Sequence, residues 1–61
     1  MNEQDLAILM EIARKRVIVK QVANDPQQED RTRMFAIQLL VDYHHVEDAL
    51  HEKWELEANQ A

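Results

Sequence analysis

The chain has 61 residues and a net charge of −5, with no cysteine, no glycine and a single proline. That length allows one domain at most, and a chain so short buries only about 60% of the surface it exposes when unfolded. Disulfide frameworks, thiolate zinc sites and glycine-cradled phosphate loops are excluded, so self-association is the remaining route to a stable core.

The N-terminus, Met1-Asn2-Glu3-Gln4-Asp5, is acidic and polar, the reverse of a secretory signal's basic start. No apolar run approaches the roughly 20 residues that span a membrane. We therefore expect a cytoplasmic chain with no membrane association.

A first helix is expected over residues 3–23. At about 100° per residue, Leu6, Leu9, Met10, Ala13 and Val17 fall on one face. Ile8, Ile12, Val19, Val22 and Ala23 form a second, nearly opposite stripe, and the polar remainder (Gln4, Glu11, Arg14, Lys15, Gln21) is narrow. A helix with one neighbour needs one apolar stripe; two stripes point to burial inside a multi-helix assembly.

The break falls at Asn24-Asp25-Pro26-Gln27-Gln28. Asp25 suits an N-cap, Pro26 the first helical position, and Gln28 the reciprocal place in a capping box. These signals predict a turn over 24–25 and a second helix over 26–58, roughly 50 Å long. The expected fold is all-α: a single antiparallel helical hairpin across residues 1–61, associating into a four-helix or larger bundle.

In the second helix, a heptad places Thr32, Leu39, Val46 and Lys53 at a, with Ala36, Tyr43, Leu50 and Glu57 at d. Ile37, Leu40 and Val41, followed by His44 and His51, mark another stripe. A turn at 24–25 sets Leu6 near His44, so that Leu50, Trp54 and Leu56 overhang the first helix. An overhanging tryptophan is a natural interface anchor. We expect the oligomer or partner interface to use Leu39, Tyr43, Val46, Leu50, Trp54, Ile8 and Ile12, with the chain a homodimer or tetramer.

Charge is unevenly spread. Residues 14–33 carry six cations and three acids, while residues 34–61 carry six acids and one cation. A hairpin polarised in this way is suited to antiparallel self-association.

One cluster has metal-ligand character. His44, Asp48, His51 and Glu55 are spaced i, i+4, i+7 and i+11 along one helical face, a donor set suited to zinc, iron or manganese. Asp42-x-x-His45 and Asp48-x-x-His51 loosely echo the Glu-x-x-His unit of di-iron bundles, with a shorter acid and no matching ligands on the first helix. The plainer reading is a series of His–carboxylate pairs on an acidic helix.

The basic residues of the first helix scatter around it without interleaved aromatics, which argues against nucleic-acid binding. Nucleophilic catalysis lacks a Ser or Cys, and Thr32 is the sole threonine. The expectation is a non-catalytic interaction or regulatory protein, an adaptor or inhibitor of phage or plasmid type, that homo-oligomerises and binds another protein. The alternative is a metal-binding bundle built on the histidine cluster.

Overall fold

A computed structural model describes residues 2–60 as two α-helices, α1 (Glu3–Ala23) and α2 (Asp30–Gln60), packed along one another as a hairpin 50 Å long. α1 starts and ends where its sequence signals place it. Asn2 takes extended backbone angles and accepts the Asp5 N–H on its side chain at 2.7 Å, which satisfies one of the orphan donors of the first turn. Glu3 and Asp5 lie in that first turn and Lys20 in the last, each complementing the helix dipole. Asn24 closes α1 by donating its N–H back to the Lys20 carbonyl.

The connection is longer than expected. Asp25 does cap: its Oδ1 accepts the Gln27 N–H at 2.9 Å, and its Oδ2 accepts from the Gln28 side-chain amide at 3.4 Å. Those bonds close an isolated turn, completed by Gln28 N–H donating to the Asp25 carbonyl, and no helix propagates from it. α2 begins instead at Asp30, where the Glu29 carbonyl accepts the Arg33 N–H at 3.0 Å. The expected start at Pro26 is thus corrected to Asp30. A local side-chain-to-backbone turn competes successfully with helix initiation, as Asx residues commonly do.

The six connecting residues also change the register. Asp5 of α1 meets Lys53 and Trp54 of α2, and Arg16 meets Glu47. Leu6 therefore lies nowhere near His44, and Leu50 and Trp54 do not overhang α1. Carried along the hairpin, this register sets Ala23 level with about Ala36. The first turns of α2, with Met34 and Phe35, project past the end of α1, so the overhang is at the turn end.

The seam between the helices is a heptad ladder on both sides. On α1 it follows Asp5, Leu9, Ile12, Arg16, Val19 and Ala23; on α2 it follows Arg33, Ala36, Leu40, Tyr43, Glu47, Leu50 and Trp54. Among the described residues Ile12, Ala36 and Leu50 are the buried apolar ones, and no large side chain is fully enclosed. The d residues of the expected heptad, Ala36, Tyr43 and Leu50, are in the seam. Thr32, Leu39 and Val46 are not: Arg33, Leu40, Glu47 and Trp54, one position further on, take the place of the a residues, and Lys53 reaches the seam through its ammonium to Asp5.

Candidate interaction surface

Because α2 packs on α1 through Ala36, Tyr43 and Leu50 together with Leu40, Glu47 and Trp54, the ridge of Leu39 and Val46 is left uncovered. Leu39 and Val46 stand four before and three after Tyr43, and therefore beside it on the outer edge of the seam. Both are about two-fifths exposed, as is Ile8 on α1. On the same flank an open groove of about 390 Å³ is lined by Ala7, Ile8, Glu11, Ile12, Lys15 and Tyr43. On the other flank of the seam, Met34 and Ile37 lie with Ala23 and Arg33 around a second depression. Leu6, Met10 and Val17 of α1 and Val41 of α2 are also exposed.

The structure divides the seven expected interface residues into two groups. Ile8, Leu39 and Val46 remain available. Ile12 and Leu50 are consumed within the chain, with Tyr43 and Trp54 half-buried beside them. Phe35 and Ile18, about two-thirds exposed, lie outside those seven. The signal for Phe35 was present in its i+4 relation to Leu39.

At the open end the seam closes on a polar clamp. The Asp5 carboxylate, only 6% exposed, accepts from Lys53 Nζ at 2.9 Å and from Trp54 Nε1 at 3.3 Å, all on one oxygen. The Lys53 hydrogen bond holds the Asp5 carboxyl below its ordinary range, against the opposing effect of burial. Reciprocally, Asp5 raises the Lys53 ammonium above its ordinary range. Sequence reading missed this clamp, though Asp5 stands at seam spacing from Leu9 and Ile12. The acidic side chain disguised a ladder position.

The other charges are mostly settled locally. Arg14 and Lys15 both pair with Glu11, Arg16 reaches across to Glu47, and Arg33 pairs with Asp30. The Arg14 hydrogen bond draws the Glu11 carboxyl below its ordinary range. The basic stretch is thus largely neutralised inside the hairpin.

The proposed metal residues remain apart. His44 Nε2 lies 3.4 Å from Asp48, both well exposed, as an ordinary i,i+4 pair. His51 turns toward Trp54 and meets it edge to face, with ring centroids 5.2 Å apart. Glu55 is exposed, and Asp42 accepts from the Gln38 side chain at 3.1 Å. Among the described residues no three metal-capable side chains are gathered. No helix among them is long and apolar enough to cross a membrane. Comparison with family models, curated proteins and solved structures returns no match.

Proposed function

We propose that this chain is a small non-catalytic interaction protein of the cytoplasm that self-associates and binds another protein through its uncovered helix faces, as an adaptor or inhibitor. One observation carries the reading. The hairpin buries three apolar side chains, Ile12, Ala36 and Leu50, while twelve large ones are exposed among the described residues. Single surface apolar residues are ordinary, but twelve exposed against three buried leaves most of the large apolar side chains of this hairpin without cover.

Area supports the same reading. A compact monomer of 7.2 kDa exposes about 4,100 Å² by the usual scaling. This hairpin exposes 5090 Å². The excess, about 1,000 Å², is close to the roughly 800 Å² that each partner contributes to a standard interface.

The direct test is native mass spectrometry of untagged protein, prepared without chelator, over a range of concentrations. An even-numbered assembly is expected. A monomer at every concentration would remove self-association from the reading, leaving both flanks to a different protein.

A further inference from the structure

We infer that the groove face of Ile8, Leu39 and Val46 is covered by a second copy of the chain lying antiparallel, turn end against open end. This rests on the self-association proposed above and adds its face and its orientation.

The face follows from the heptads. α2 carries two overlapping ladders that share Ala36, Tyr43 and Leu50. One is spent on α1; the other, through Leu39 and Val46, is free and adjoins a preformed groove. The opposite flank lacks this continuity, because the exposed His44–Asp48 pair interrupts it. In antiparallel register Leu39 stands beside the partner subunit's Val46, and Val46 beside the partner subunit's Leu39. Apolar residues then meet on both sides of a two-fold axis, as a self-complementary interface requires.

The orientation follows from charge once the register is known. Lys15 lies level with about Val46, so the hairpin divides there. The turn half, residues 15–45, holds five cations and four acids, or +1; the open half holds eight acids and two cations, or −6. Two copies in parallel set −6 beside −6. Two copies antiparallel set each −6 beside a +1. The ion pairs within the chain leave the same asymmetry. Lys20 and Arg31 toward the turn end, and Glu52 and Glu55 toward the open end, form no ion pair among the described residues. The Leu39–Val46 register sets Arg31 level with the partner subunit's position 54, between those two acids. Fields of this kind act over about a Debye length, 8–10 Å at moderate salt, which is the spacing of packed helices.

The absence of cysteine makes the test clean. A nitroxide on Gln28→Cys reports turn-to-turn separation in the full-length assembly by pulsed electron paramagnetic resonance. The antiparallel arrangement predicts a distance approaching the 50 Å length of the hairpin. A mixture of Gln28→Cys and Gln60→Cys chains should then yield the mixed disulfide dimer on oxidation. A dimer whose turns lie within about 20 Å, the span of two packed helices, would overturn the orientation while leaving self-association standing. A monomeric mass for the labelled and unlabelled chains alike would overturn both. To test the face, Leu39→Glu should abolish the assembly and Ile37→Glu should preserve it, read by native mass at matched concentration. The reverse pattern would move the second copy to the opposite flank and overturn the assignment.

Discussion

Asp5 is the one charged residue that the hairpin buries, and its position explains how a seam with so few apolar contacts keeps its register. A carboxylate removed from water is costly unless its lone pairs are satisfied, and here one oxygen takes both the Lys53 ammonium and the Trp54 indole N–H. Sliding α2 by one turn would strand all three groups. The same clamp fixes a pH response. The lowered Asp5 value means that its contribution is complete above the carboxyl's ordinary pKa of 3.8, and is lost as pH falls through the lowered one. The raised Lys53 value means that its contribution is complete below 10.5, and is lost as pH rises through the raised one. Asp5→Asn should therefore lower the midpoint of thermal unfolding at pH 7 and flatten both the acid and the alkaline limbs of the stability–pH curve. The control is Asp48→Asn, which alters an exposed carboxylate and should leave both limbs in place. Equal curves for wild type and Asp5→Asn would show that the clamp sets nothing.

Each helix illustrates a different limit on what sequence discloses. α1 occupies the expected residues 3–23, and Asn2 caps it and Asn24 closes it through local bonds that need no knowledge of α2. The start of α2 does not fall where expected. Asp25, Pro26 and Gln28 write a good N-terminus signal, and the structure honours it with a capped turn that stops after four residues. Local signals specify local hydrogen bonds; whether a helix propagates from them depends on where the packed seam needs the chain to go. The register error followed directly, and with it the misplacement of Trp54. Within α2, periodicity picked out Ala36, Tyr43 and Leu50, which lie in the seam, together with Leu39 and Val46, which the seam leaves exposed. A helix with apolar residues on both sides of d offers no pattern to say which side faces α1. Two substitutions separate these contributions. Asn2→Ala should cost about 1 kcal/mol, the usual value of an N-cap. Ile12→Ala, which empties the centre of the seam, should cost about 2–5 kcal/mol, with urea unfolding as the measure.

For the molecule as a whole, helix content and stability have separate sources. Isolated helices of this length are marginal in water, and packing against a partner supplies most of their stability. Within the chain that packing amounts to Ile12, Leu50 and the small Ala36, and burying a large aliphatic side chain contributes only about 1.5–3 kcal/mol. So thin a seam leaves the hairpin short of what ordering its backbone costs. Folding and association should then be one event. Under that coupling the unfolding midpoint rises with protein concentration by mass action, and wild-type protein should show that rise over a hundredfold dilution series. Leu39→Glu places a carboxylate at the centre of the covered face, where an unpaired charge is strongly disfavoured. It should weaken association at least about tenfold, equivalent to 1.4 kcal/mol, and lower the midpoint most at low concentration. Had the hairpin been stable alone, the same substitution would exchange one exposed side chain for another and leave the midpoint unchanged at every concentration. A flat midpoint for the wild-type chain would mean that the seam holds more than its contacts account for, and that the exposed flanks serve only a different protein.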